Sequence, residues 1–233
     1  MRLRVIVPNL TDRWNSVILE EFKKWAEVET EISVVNIRKG PESIESEYDE
    51  ETAAPFILEE VKKAEKDGMD GVVLFCFGNV AIYAAREAVS IPVIGLGEAA
   101  QLLAILSGDR FSILSTISTA VPRLWRKAKA MGFDGKLASV RAINIPVLNE
   151  DEGMVREALL REGQKSIEEG ADVIVLGCGT YFGMEKWLQE QLNVPVINCA
   201  LAGLKITELM VRLKLSHSKR SFPFPPDKRR VID

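Results

Sequence analysis

The chain has 233 residues, 47% hydrophobic and 27% charged, enough apolar side chain for one large domain or two small ones with a real core. Its net charge of −4 argues against a nucleic-acid partner, which selects a basic footprint. Asn9, Asp12 and Arg13 interrupt the N-terminal apolar run, so it does not read as a signal peptide. The longest uncharged stretch, 71–85, is shorter than the ~18 residues of a membrane span, and the reading is a cytoplasmic chain with no membrane partner. Three cysteines without a CxxC, and a single histidine in a polar tail, form neither a disulfide framework nor a metal ligand set.

In chain order, 2–8 (RLRVIVP) reads as a buried strand and 9–12 as the turn after it. Residues 16–27 carry Val17, Ile18, Phe22, Trp25 and Ala26 at helical spacing, and 31–37 alternate like a second strand. The acidic run 42–51 reads as a solvated loop, with a lid over a binding cleft as the sharper alternative. A helix over 55–66 is stopped by Gly68, and 71–75 is a continuous apolar run of the kind found in a central parallel strand. A helix over 80–89 and a strand over 92–96 follow. The second half repeats this plan: strand 111–115, helix 122–131, strand 136–143, helix 155–169, strand 173–177, helix 184–192, strand 195–198 and helix 201–213. Such alternation means an α/β protein with parallel sheets.

The halves also match residue by residue. Gly68-Met69-Asp70-Gly71-Val72-Val73-Leu74-Phe75-Cys76 aligns without a gap on Gly170-Ala171-Asp172-Val173-Ile174-Val175-Leu176-Gly177-Cys178. Each cysteine lies eight residues after its glycine, and a Pro-Val-Ile strand follows 16 residues after Cys76 and 17 after Cys178. The expected architecture is therefore two similar Rossmann-like parallel-sheet subdomains related by a pseudo-two-fold axis, with the active site in the cleft between them. The first subdomain is 1–98, rejoined by 205–233, and the second is 99–204.

Ligands of open α/β sheets bind beyond the carboxyl ends of the strands, where Cys76 and Cys178 both fall. Two opposed acid–base groups are what inversion of a carbon next to a carbonyl requires: one thiolate removes the proton, and the thiol on the other face returns one. Near-attack geometry would place the sulfurs roughly 7 Å apart. A helix N-terminus lowers a thiol pKa, and Gly78 and Gly179 leave backbone N–H groups open to a thiolate or an oxyanion. Cys199 aligns with Leu96, has no cysteine partner in the repeat and reads as core. His217 reads as a surface side chain, and the basic residues after it as a solvated tail.

At these residues the sequence resembles the aspartate/glutamate/hydantoin racemase superfamily, and more closely its hydantoin and allantoin racemase branch. Cys76-Phe77-Gly78-Asn79 and Leu176-Gly177-Cys178-Gly179 resemble the two cysteine motifs, and Gly40-Pro41-Glu42-Ser43-Ile44-Glu45 is the most branch-specific stretch. The resemblance covers nearly the whole chain. It implies a small-molecule substrate, no cofactor, no metal and a homo-oligomer, and it carries Cys76 and Cys178 over as the catalytic pair. Asn9, Asn79, Thr116 and Thr180, with the backbone at Gly78 and Gly179, fall where the family holds its substrate. Two departures stand out: Asn79 occupies a position where many members have an acid, and Cys178-Gly179-Thr180 lacks the histidine of the amino-acid racemases. The second favours a neutral ring such as a hydantoin over glutamate. Aspartate/glutamate racemisation, a maleate-isomerase-like reaction on the same scaffold, and a non-catalytic small-molecule binding module remain as alternatives.

Overall fold

A computed structural model describes residues 1–149 and 151–230. The first half contains β1 (Arg2–Val7), α1 (Asn15–Trp25), β2 (Glu31–Asn36), α2 (Glu47–Lys66), β3 (Gly71–Leu74), α3 (Ile82–Ala88), β4 (Val93–Gly95) and α4 (Leu96–Ser107). The second contains β5 (Phe111–Ser115), α5 (Val121–Ala130), β6 (Leu137–Ala142), α6 (Glu152–Glu168), β7 (Val173–Leu176), α7 (Met184–Leu192), β8 (Val196–Asn198) and α8 (Cys199–Arg212). Each half forms a four-stranded parallel sheet, in the orders β2-β1-β3-β4 and β6-β5-β7-β8. The expected fold class is thus observed.

The residues of the repeat build the same joint twice. Gly68 (φ +74°) and Gly170 (φ +91°) take the left-handed conformation that ends α2 and α6, where a side chain would be strained. Two residues on, the Asp70 carboxylate accepts the Arg2 N–H at 2.6 Å, and Asp172 accepts the Arg110 N–H at 2.8 Å. Each aspartate thereby ties the start of one central strand to the loop before the next. Alternate side chains of β1 and β3 then enter different layers: Val5 and Val73 join a core shared by both sheets, while Ile6 and Leu74 pack under α2. Ile113 and Val175 of the second sheet meet the same shared core.

Helices α4 and α8 lie side by side in that core, and each crosses to the other half. α8 packs on β3 and β4, whereas α4 reaches β7 and β8. Gly71 on β3 permits the first contact, since a Cβ there would come within 2.9 Å of Thr207 Cγ2. The periodicity did not predict α4. Most of its length is apolar (LGEAAQLLAILS), and neighbours on several sides leave it without the polar stripe that marks a surface helix. Helix α2 also starts earlier than expected, at Glu47, because the Ser46 hydroxyl caps it by accepting the Asp49 N–H at 3.1 Å.

Arg220 and residues 223–230 are exposed, as expected of a solvated tail, but His217, Lys219 and Phe222 pack against the first half. His217 Nε2 accepts the Val93 N–H at 2.9 Å on the free edge of β4, and Lys219 donates to the carbonyls of Arg86 (2.7 Å) and Val89 (2.6 Å) at the end of α3. Phe222 stacks on Tyr83 with ring centroids 6.1 Å apart. The segment covers an edge strand that would otherwise present unpaired backbone groups.

Candidate active site

The carboxyl ends of β1, β3, β5 and β7 meet at a cavity of about 70 Å³, and each supplies the residues just beyond it: Asn9, Cys76, Thr116 and Cys178. Both cysteines are half-buried thiols, one from each sheet. A groove of about 330 Å³ between α2, α3 and α5 is larger, but it is mainly apolar and neither Cys76 nor Cys178 lines it.

The backbone after each cysteine follows the same path. Asn79 N–H donates to the Cys76 carbonyl at 3.2 Å and Tyr181 N–H to that of Cys178 at 3.5 Å. Ala81 (φ +56°) and Gly183 (φ +74°) then turn the chain into α3 and α7. Helix α7 begins at Met184, as the sequence predicts, and α3 at Ile82, so each starts six residues after its cysteine, and the expected lowering of the thiol pKa by a helix N-terminus is not found at Cys76. Consistent with that, burial pushes the Cys76 thiol above its ordinary pKa, and the Glu50 carboxylate adds to the rise. Arg123, the Gly78 N–H and Lys127 pull the other way without cancelling it. Cys178 has a different partner, the Thr180 hydroxyl at 3.0 Å from its sulfur.

An ion triad sits beside Cys76. Glu50 of α2 is paired with Arg123 and Lys127 of α5, and the Lys127 ammonium also donates to the Gly78 carbonyl at 2.6 Å. Glu50 and Arg123 are both more than nine-tenths buried. The triad bridges the two halves across one side of the cleft. The rings of Phe22, Phe75 and Phe182 pack with centroids within 6.2 Å of one another, again joining the halves. A third bridge closes the cleft mouth: Glu45 accepts the Val147 N–H at 3.1 Å, and Ile44 and Val147 both line the cavity.

A model of the Asp/Glu/Hydantoin racemase family matches residues 3–207. The chain belongs to that family. It is accordingly an isomerase of the racemase class. It is 34% identical to a hydantoin racemase from Pseudomonas sp. (strain NS671), over 99% of this chain and 94% of the relative. Among solved structures, it is 34% identical to an allantoin racemase from Klebsiella pneumoniae with a TM-score of 0.92, covering 98% of this chain and 95% of the other. An allantoin racemase from Pseudomonas fluorescens gives 31% identity and a TM-score of 0.94, covering 99% and 100%.

In this racemase the structure brings Asn9, Cys76, Gly78, Thr116, Cys178, Gly179 and Thr180 to one cavity. Asn79 is placed elsewhere. Its carbonyl oxygen accepts the N–H groups of Gly97 (3.0 Å) and Glu98 (3.2 Å) at the start of α4, so it is engaged in capping a helix. Asn9 is braced by Asn36, whose amide donates to its backbone carbonyl at 3.0 Å and its side-chain oxygen at 3.4 Å. Cys199 is fully buried and lies outside the cavity lining, as a core residue would. Sequence reasoning missed Glu50 and Arg123. The available signal was the spacing of Arg123 and Lys127 at i, i+4 beside the buried stripe of Leu124 and Ala128. Among the described residues no group of His, Cys, Asp and Glu side chains could hold a metal, and no helix is long and apolar enough to cross a membrane.

Proposed function

We propose that the cleft racemises hydantoin-type rings without a cofactor, using Cys76 and Cys178 as a two-base pair. The observation that carries this reading is the repeat itself: two thiols at equivalent strand ends, one from each sheet, lining a single cavity. Packing alone gives no reason for that symmetry. The identity to a hydantoin racemase and to allantoin racemases over nearly the full chain supports a ring of this class.

In the forward direction the thiolate of one cysteine takes the C5 proton and becomes a thiol. The electron pair left behind delocalises onto the adjacent carbonyl oxygen, and the ring carbon flattens. The second thiol gives its proton to the opposite face and is left as the thiolate. No net proton or electron is consumed, and the reverse reaction exchanges the two roles. Asn9, Thr116 and Thr180, with the backbone of Gly78 and Gly179, hold the ring between the sulfurs. Asn79 contributes by fixing the start of α4 behind the Cys76 loop. A homo-oligomer is the form the family resemblance implies, the sequence reading places it in the cytoplasm, and light scattering on the purified protein reads its mass.

The test is chiral chromatography of single-enantiomer 5-substituted hydantoins and allantoin incubated with the enzyme in D2O. Inverted product carrying deuterium, with little label in the remaining starting enantiomer at early times, is the expected outcome. Equal labelling of both enantiomers from the first turnovers would mean a single base and would sink the paired-thiol reading.

A further inference from the structure

Arg123 is a buried guanidinium whose hydrogen bonds are incomplete. It lines the cavity, one terminal nitrogen engages Glu50, and its Nε–H is buried without a hydrogen-bond partner. A planar guanidinium has five donors and no acceptor, and leaving a buried one unpaired is costly. In the same triad a single carboxylate faces two cations, so one positive charge is left in excess next to Cys76. A guanidinium on the cavity wall with an unsatisfied donor, in a triad that carries one positive charge in excess, is suited to an oxygen that becomes negative.

We propose that Arg123 binds the substrate, its guanidinium donating to the carbonyl oxygen next to the carbon that loses its proton. This rests on the racemase reading above and adds a residue to it. As the proton leaves that carbon, negative charge moves to the carbonyl oxygen, and a donor already in place gains strength with the charge. Glu50 holds the guanidinium still, so no reorganisation is needed at that moment. The same placement gives Arg123 a second consequence: the enolate oxygen is anchored on the Cys76 side of the cleft, which fixes how the ring lies between the thiols.

The experiment compares wild type with Arg123→Lys on a hydantoin that the wild type racemises. Lysine keeps the charge beside Glu50 but lacks the further N–H donors of the planar guanidinium. The expected result is a kcat lower by about 100-fold, the lower end of what removing one oxyanion donor costs. KM should change by only a few fold, because the bond strengthens in the transition state, and the C5-deuterium isotope effect on kcat should rise as proton removal becomes rate-limiting. A folded Arg123→Lys enzyme with kcat within threefold of wild type overturns the proposal. If lysine does not fold there, the double variant Glu50→Gln, Arg123→Gln replaces the ion pair by a neutral amide pair, and the same two outcomes apply to it. A wild type that racemises none of the hydantoins refutes the functional reading itself, which separates that failure from a failure at Arg123.

Discussion

The two halves share a backbone and differ in what surrounds each thiol. Cys76 and Cys178 end matching strands and begin matching turns. Yet Cys76 lies beside a buried triad of Glu50, Arg123 and Lys127, whereas Cys178 is next to the Thr180 hydroxyl. The asymmetry arises from the neighbours each half receives from the other. Helix α5 brings the cations Arg123 and Lys127 to the first cysteine loop, and α1 brings Phe22 against Phe182 of the second half. The repeated fold places two thiols at one cavity; the unrepeated side chains give them different surroundings. Two thiols at equivalent strand ends therefore sit in an asymmetrical site.

The largest effect should come from erasing one member of the pair. Cys76→Ser and Cys178→Ser should each lower racemisation by at least ~100- to 10,000-fold, since a serine hydroxyl is a far weaker acid–base group at neutral pH. The variants should differ in what they retain. Cys76→Ser keeps C5 proton exchange with D2O for one enantiomer, through Cys178, and Cys178→Ser keeps it for the other. Identical exchange preferences would remove the opposed-thiol geometry, and near-normal racemisation by either variant would remove the pair. In the ligand-free enzyme, alkylation of Cys76 by iodoacetamide should keep rising with pH beyond the point where an ordinary thiol is fully ionised, because burial has moved it upward.

Next in size is the charge that distinguishes the halves. Glu50→Leu leaves Arg123 buried without its carboxylate, and breaking a buried pair from one side costs about 3–5 kcal/mol. Chemical denaturation should read that loss directly. Stability within about 1 kcal/mol of wild type would mean the triad is more hydrated than its burial indicates.

What was legible in the sequence follows from the same contrast. The strands at 71–74 and 173–176 are buried on both faces, so their apolar runs stand out, and the cysteines follow at fixed spacing. Fold class and most of the cavity wall come from that pattern. Helix α4 was hidden because burial on several sides erases the amphipathic period. Glu50 lies in an acidic run that reads as solvated, and only its position on the inner face of α2 shows otherwise. Arg123 lies on a helix rich in surface cations, and nothing local reveals that its neighbour is a carboxylate 73 residues away. His217 was misread for the same reason, since its partner is a backbone N–H 124 residues distant. Contacts that join the halves carry no short-range signature.

A smaller effect probes how closely the second cysteine loop fits its neighbours. Gly179→Ala would bring a Cβ to 2.8 Å from the Phe75 ring and 2.9 Å from Leu96 Cδ1, both in the core shared by the halves. Overpacking of this kind costs about 1–3 kcal/mol. Because Phe75 immediately precedes Cys76, the strain should also reach the first thiol. Kinetics should show a raised KM together with a lowered kcat, and unchanged values of both would mean the loop moves aside freely.

The smallest effect concerns the two sheet edges, where equivalent N–H groups have unlike acceptors. Val93 N–H on β4 donates to His217 Nε2 at 2.9 Å, while Val196 N–H on β8 donates to the Gln189 side-chain oxygen at 3.2 Å. Only the imidazole titrates near neutral pH, and a protonated ring cannot accept a hydrogen bond. Burial, then the charges of Arg86 and Lys219, lowers the His217 pKa from 6.5 to about 4. The sign of the linkage follows. Between pH 6.5 and about 4 the unfolded or undocked segment binds a proton that the docked one refuses, so the stability His217 contributes is present above 6.5 and is lost as the pH falls through that window. His217→Gln gives the first edge the acceptor type of the second and removes the titration. The variant should therefore lose less Tm than wild type between pH 7 and pH 4.5, by roughly one or two degrees for a chain of this size. Parallel melting curves for the two proteins across that range would show that the imidazole does not govern docking of the C-terminal segment, and that the two edges behave alike despite their different acceptors.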